Sequence, residues 1–515
     1  MIGTTLRAGV SLAALAFAMA PALPAQAEKV LRVGVREMPA TKGNAYGGNG
    51  PPGIFTWAAL FESVTDIDGK GNAVPMVAAG WESADGMTWR FKIAPNQRFH
   101  NFAPLTARAL TEAIAFLASE KGAPLSVARN IKATGLQSAK AVDDATVEFV
   151  LAKPNPIFVS QIAVLPVFEP KHFNDVGIDG FTVNPVGSGP FKFASWTGNG
   201  MQGANFAQYR TGKPKVDKVD IMEIPEGATR VEALISRQID VDVAVLADDF
   251  ARIKASGANV HVSPAPRVIG ISLISAGQAE GKGKASPFAD KRVRQAVNLA
   301  VNRQAMVDTF LHGIGKPASQ AATEGTFGYN PALKPVAYDP AQAKKLLAEA
   351  GHAGGFKMVV QATVTDPANK LMYEAAMEDL KRIGIDAQLI PVTFPTWLKH
   401  WQGGTWEATG FGYGYFFAPE MDASRAFTAA SCDKDPAVSV YYCDADETKL
   451  LKATQSELDP KKHLALLQNL LAVHQGNAPN LSLIETQDLM GYGARVRNFQ
   501  NVNLKINYAD VDLAE

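Results

Sequence analysis

The chain has 515 residues, 50 Lys and Arg against 50 Asp and Glu, a formal net charge of zero, and 47% hydrophobic residues. This balance gives no reason to expect a nucleic-acid or anionic-membrane partner, and the apolar fraction supports large buried cores. At about 150 residues per domain the length corresponds to roughly three domains.

Residues 1–27 read as a cleaved secretory signal. Arg7 is followed by an uncharged apolar run and then Ala25-Gln26-Ala27, so the mature chain is expected to start at or near Glu28. Pro21 and Pro24 break the run short of the about twenty residues a membrane span needs. No Cys follows the cleavage site, which excludes a lipid anchor there, and no later apolar stretch is long enough to cross a bilayer. The expectation is a protein outside the cytoplasmic membrane and not inserted in it.

"KVLRVGV" predicts a strand, followed by the loop "MPATKGNAYGGNGPPG", where Asn44, Tyr46 and Asn49 are possible ligand contacts. "GWESADGMTWRFKI" and "SAKAVDDATVEFVLA" predict hairpins turning at Asp85-Gly86 and Asp143-Asp144, with the helix "LTARALTEAIAFLASE" between them. From Lys218 the texture becomes alternating: strand "KVDIMEI", helix "GATRVEALISRQ", strand "IDVDVAVL". "DKRVRQAVNLAVNRQAMVDTFLHG" spaces Val293, Ala296, Val297, Ala300 and Val301 as one helix. In "DPAQAKKLLAEAG", Asp339 is the expected N-cap, Pro340 the first helical residue and Gly351 the stop. "FKMVVQAT", "ANKLMYEAAMEDLKRIG" and "IDAQLIPV" predict a strand–helix–strand unit of parallel sheet. In "FPTWLKHWQGGTW", Trp397 and Trp401 lie four apart on a possible helix.

"GFGYGYFFAPE", Gly410–Glu420, puts five aromatic rings into eleven residues. Alternation gives Tyr413, Tyr415 and Phe417 one face, with Phe411 and Phe416 assigned to the other or to a bend. The two cysteines, Cys432 and Cys443, are read as a disulfide, the favoured state for a close pair in an oxidising compartment. As a metal site, two thiols without a nearby His are an incomplete ligand set.

Catalytic signatures are missing. Val186 occupies the first-Gly position of a nucleophile elbow around Gly187-Ser188-Gly189, and H-E-x-x-H and G-x-x-x-x-G-K do not occur. His100, His172 and His352 read as solvated surface residues beside turns, and Arg36 and Arg108 as surface charges.

Several stretches in order resemble the large extracellular solute-binding proteins, family 5, of ABC importers. They are "VPMVAAGWESADGMTWRFKIAPNQRFHNFAPLTARAL", "NPVGSGPFKFASW", "DKRVRQAVNLAVNRQAMVD" and "YDPAQAKKLLAEAG", and the resemblance spans about residues 28–500. It implies an α/β, periplasmic-binding-protein-like clam of type II with an extra small lobe. The expected division is lobe I at 28–57, 182–267 and 484–515, an extra β-rich lobe at 58–181, and lobe III at 268–483. It also implies a monomeric periplasmic carrier, not an enzyme, that delivers a peptide or peptide-like solute to an inner-membrane ABC permease without cofactor or metal. A hydrolase or chaperone on the same scaffold is the rival. Many peptide-binding members carry an amine-anchoring Asp four residues before the proline that matches Pro419; here Tyr415 stands there, and Tyr413 stands where a Trp is frequent. That departure opens the alternatives of an opine, sugar, aromatic compound or nickel chelate. The ligand-binding residues expected are Tyr413, Tyr415, Phe417, Asn44, Tyr46 and Trp401, and the cysteine pair sits where many members have a disulfide.

Overall fold

The structure, a computed structural model, describes residues 28–514 except 49, 276–285, 365–366, 405, 407, 418–419, 428 and 434–439, and before Glu28 only Met1 and Gly3. The expected signal segment, Asn49 and Pro419 therefore lie outside the described residues. Among the described residues no helix is long and apolar enough to cross a membrane.

One sheet runs through the molecule. In spatial order its strands are Ile385–Pro391, Phe356–Ala362, Gly410–Phe416, Asn259–Leu273, Asn480–Tyr492, Val241–Asp242, Val30–Val35, Lys218–Glu223, Gly200–Asn205 and Phe191–Thr197. Two regions of parallel strands flank a long antiparallel pair. On one side Val241–Asp242, Val30–Val35 and Lys218–Glu223 are parallel; on the other, Ile385–Pro391, Phe356–Ala362 and Gly410–Phe416 are. Asn259–Leu273 and Asn480–Tyr492, the crossing strands, belong to both lobes. Asn259 and Val260 pair beside Tyr492 and Gly491 in the first lobe, and Val268–Leu273 lie against the aromatic strand Gly410–Phe416 in the other.

The crossing pair is broken where it passes between lobes. Pro264 pairs with Gln487 and Val268 with Glu485, so Ala265, Pro266 and Arg267 stand opposite Thr486 alone. Two prolines in this stretch remove ladder donors, and the extra residues form a bulge. Thr486 patches the gap, its hydroxyl donating to the Arg267 carbonyl at 3.1 Å.

Both predicted hairpins form and join one four-stranded sheet of Ala78–Glu82, Thr88–Ile93, Thr146–Leu151 and Leu136–Asp143. This sheet shares a continuous core with the first lobe: Phe91, Phe149 and Phe158 belong to the same buried cluster as Leu31 and Val33. The second lobe's sheet is sandwiched. Helical residues such as Val293, Val297 and Tyr373 cover one face, and an aromatic layer with Phe427, Tyr441 and Leu470 covers the other.

Two sequence readings need correction. "IDVDVAVL" pairs only at Val241–Asp242. The segment read as one helix is two, Lys291–Ala300 and Arg303–Phe310, split at Asn302, whose side chain caps the second by accepting from the Ala305 N–H at 3.0 Å. The break lets the buried Arg303 donate to the Ser482 carbonyl at 2.6 Å, and Arg294 reaches the Asn477 carbonyl at 2.9 Å. Arg303 thus ties its helix to the second crossing strand, and Arg294 ties the first helix to the end of the helix Pro460–Asn477 that precedes that strand. Asp339 caps the helix Pro340–Glu349 as expected, and Gly351 follows it with φ +84°.

Candidate functional site

The Gly–aromatic alternation of Gly410–Phe417 is imposed by packing on both faces. On one face a Cβ at Gly412 would stand 2.4 Å from the Ala362 Cβ and 2.9 Å from the Tyr373 hydroxyl. Across the neighbouring strand, a Cβ at Gly270 would stand 2.6 Å from the Tyr413 hydroxyl. Backbone and helix approach too closely there for any side chain. The other face carries Phe411, Tyr413, Tyr415 and Phe417 together in one aromatic cluster, which corrects the assignment of Phe411 to the opposite face. The side chain of Phe416 lies outside the described residues.

This aromatic face looks into the second lobe. Phe417 is fully buried and Tyr413 is 5% exposed, its hydroxyl 2.9 Å from the Ser482 hydroxyl. Tyr415 is half-buried and belongs to a closed ring of hydrogen bonds. Asn480 Nδ2 donates to the Tyr415 hydroxyl at 3.1 Å, Tyr415 donates to Tyr441 at 3.1 Å, and Tyr441 returns the bond to Asn480 Oδ1 at 2.8 Å. Asn480 also donates to His474 Nε2 at 3.0 Å, leaving Nδ1–H to donate to the buried Glu447 at 2.7 Å. Burial pushes the Tyr413 and Tyr415 phenols well above their ordinary pKa. Buried hydroxyls need partners, and here the lobe itself supplies them. Tyr415 as a residue stays partly exposed, beside the exposed Gly414.

The tryptophans form a ladder on the helix Phe394–Gly403, in which no residue is fully buried. Phe394, 62% exposed, stacks on Trp397 at 6.2 Å, and Trp397 stacks on Trp401 at 5.3 Å. Trp401 turns its edge to Phe411 at 5.7 Å, and Trp397 Nε1 donates to the Gly412 carbonyl at 2.8 Å. Trp401 is thus a partly buried buttress of the aromatic strand.

Asn44 and Tyr46 are placed differently from the expectation. The Asn44 side chain accepts from the Tyr46 N–H at 3.1 Å and caps a short turn. Tyr46 is 1% exposed and stacks on Phe168 at 4.0 Å, leaving no ring face for a solute. Its large apolar body is worth more inside the core shared with the extra lobe than in a cleft. Arg36 is exposed, and Arg108 is exposed and paired with Glu112.

His100 corrects another reading. It is 7% exposed, accepts from the Gly187 N–H at Nδ1 (3.3 Å) and donates from Nε2 to the Gly189 carbonyl at 3.0 Å. Burial lowers its pKa to about 4. The glycines it holds are required by close approach rather than turn geometry, because Cβ atoms at Gly187 and Gly189 would stand 2.1 Å from the Leu60 oxygen and 2.5 Å from the Leu60 carbonyl carbon.

A cavity of about 400 Å3 lies apart from the aromatic strand, where the helix Gly53–Leu60, the extra lobe and residues 500–509 converge. Trp57, Phe61, Met76 and Tyr508 supply apolar wall; Glu62, Asp66, Arg210 and Lys505 supply charge. Ile67 and Ala163 line it and also belong to the aromatic cluster, so the two regions share a wall. Sequence reasoning missed Glu62 and Arg210, which are 148 positions apart with no spacing signal to join them. Cys432 and Cys443 form the expected disulfide. Among the described residues no group of three His, Cys, Asp or Glu could hold a metal ion.

Two α/β lobes joined by broken crossing strands are the architecture of a two-lobed binding protein. The model of bacterial extracellular solute-binding proteins, family 5 middle, matches residues 72–435, and the chain belongs to that family. It is 24% identical over 440 residues to the dipeptide-binding protein of Escherichia coli K12, covering 80% of this chain and 81% of that one. The structure of HbpA2 from Haemophilus parasuis aligns with a TM-score of 0.83 at 23% identity, over 94% of this chain and 100% of that chain. AgaA in complex with agropinic acid, from A. tumefacien R10, aligns with a TM-score of 0.72 at 22% identity, over 94% and 99%.

Proposed function

We propose that this protein is the periplasmic solute-binding component of an ABC importer. In this reading the chain acts as a monomer, starts near Glu28 after signal cleavage, and carries no lipid anchor. A peptide or peptide-like solute is captured between lobe I (28–57, 182–267, 484–515) and lobe III (268–483). The permease then takes it from the closed form. Closure needs a hinge, and binding energy selects the closed state.

The observation that carries this reading is the position of Tyr415. It pairs with Val268, the first paired residue beyond the break in the crossing strands. It also lies at the carboxyl end of three parallel strands, where ligands of α/β sheets bind. In this reading a solute at this mouth meets the partly exposed Tyr415 and the exposed Gly414, with Tyr413, Phe417 and Trp401 packed in the same aromatic cluster.

The Tyr415 hydroxyl is neutral and already bonded within its lobe, so it offers no anionic partner to a free α-ammonium. An unpaired buried charge costs several kcal/mol. This favours the second reading, a non-peptide solute with a flat face; the structurally similar AgaA was solved in complex with agropinic acid. The test is a thermal-shift panel of di- and tripeptides, amino-blocked peptides, opines, sugars and nickel–histidine chelates, followed by small-angle scattering of each responder. A tight solute at 100 times its Kd adds about 2.7 kcal/mol of stability, and its complex is expected to be more compact than the free protein. Unchanged dimensions with every responder would refute the carrier reading.

A further inference from the structure

The cavity beside the helix Gly53–Leu60 is built around a charged group with unused capacity. Glu62 is 2% exposed and accepts the Nε–H of Arg210 and the Tyr209 hydroxyl, the latter at 3.1 Å. Burial pushes the Glu62 carboxyl up, and Arg210 opposes that rise. Arg210 also lies over the Tyr209 ring at 5.8 Å. One edge of its guanidinium is therefore fixed, while among the described residues Nη1 and Nη2 donate no hydrogen bond, although Arg210 lines the cavity and is 29% exposed. A guanidinium held at Nε with its terminal fork free is oriented for bidentate contact with a carboxylate.

The other charges limit what that carboxylate can belong to. Asp66 pairs with Lys505 at 2.6 Å, and Asp68 accepts the N–H groups of Lys70 and Asn72 at 2.8 Å each. The wall thus holds three carboxylates, Glu62, Asp66 and Asp68, against two cations, Arg210 and Lys505. A ligand of net negative charge would add to that excess. A zwitterion does not, since it presents an ammonium to the aspartates while its carboxylate sits on Arg210. The remaining wall is apolar and aromatic, and the volume of about 400 Å3 lies at the small end of the range for small-molecule sites.

We propose that this cavity is a second ligand site, which takes a small zwitterionic amino acid or derivative with an apolar side chain. Its carboxylate is held by Arg210 Nη1 and Nη2, and its side chain lies against Trp57, Phe61 and Met76. The site is distinct from the solute mouth at Tyr415.

The test is titration calorimetry on the mature full-length protein with L-phenylalanine, L-phenylalaninamide and N-acetyl-L-phenylalanine as probes. Phenylalanine is expected to bind at least 10-fold tighter than either analogue. Arg210→Lys keeps a cation beside the buried Glu62 but removes the fork; it is expected to weaken phenylalanine at least 10-fold and leave the amide within 2-fold. A double variant, Glu62→Gln with Arg210→Gln, removes both charges of the pair and should match it. Tyr415→Ala should leave phenylalanine unchanged. Equal affinity for all three probes, no binding of any, or loss in Tyr415→Ala with retention in Arg210→Lys would overturn the inference. Scattering separates this outcome from the carrier reading: Arg210-dependent binding without compaction by any panel solute keeps the cavity and refutes the carrier, and the converse result does the reverse.

Discussion

Tyr415→Phe and Tyr415→Ala together separate what this residue does for the second lobe from what it does for a solute. Tyr415→Phe removes a hydroxyl that donates to Tyr441 and accepts from Asn480, both at 3.1 Å. It orphans one Asn480 donor and one Tyr441 acceptor in a buried setting, which costs about 1–3 kcal/mol of stability. Tyr415→Ala also deletes a half-buried ring that packs against Tyr413 with centroids 4.2 Å apart and planes tilted by 41°, adding about 1–2 kcal/mol. Binding should follow a different pattern. If the ring contributes to the solute floor while the hydroxyl serves the lobe, Tyr415→Phe leaves affinity within 2-fold. Tyr415→Ala weakens it by about 1–3 kcal/mol, roughly 5- to 150-fold. Urea unfolding gives the stability terms, and calorimetry with the strongest panel responder gives the binding terms. Equal weakening of binding by both variants would refute the reasoning, because the hydroxyl would then have left its ring of partners to meet the solute.

The hinge carries a pH dependence. Burial raises Glu485, 3% exposed on the second crossing strand, to about 7, from an unfolded value near 4.5. Between those values the folded protein keeps a proton the unfolded chain has released, so this stability is full below about pH 4.5 and is lost as pH rises through about 7. Glu485→Gln should flatten that slope by about 3 kcal/mol relative to wild type and be the more stable protein at pH 8. Identical pH profiles in chemical unfolding would reject it. At the Pro190 turn, Gly189→Ala would drive a Cβ to 2.5 Å from the Leu60 carbonyl carbon and 2.7 Å from the Phe61 nitrogen, neither of which can yield cheaply. A loss of about 1–3 kcal/mol is expected. Gly198→Ala, with nothing within 4 Å, should stay within about 0.5 kcal/mol, and equal effects of the two would show that the close approach does not matter.

Local chemistry made much of this fold legible from the residues. Asp339, Pro340 and Gly351 mark a helix because capping and φ preference act within a few positions, and the hairpin turns at Asp85-Gly86 and Asp143-Asp144 form for the same reason. Ordered short motifs identified the family for a related cause, since His100 hydrogen-bonds the Gly187–Gly189 turn and that turn approaches Leu60 too closely for any other residue. Which way a ring faces was not legible. Period-two alternation puts Tyr413, Tyr415 and Phe417 on one face but cannot say whether that face meets solvent or Tyr441, which lies 26 positions on from Tyr415. Tyr46 looked like a loop contact and became core because Phe168, Phe116 and Phe173 converge on it from elsewhere in the chain. Glu62 and Arg210 were invisible for the same reason: a buried charge is stable only beside its partner, and only the tertiary fold brings the two together.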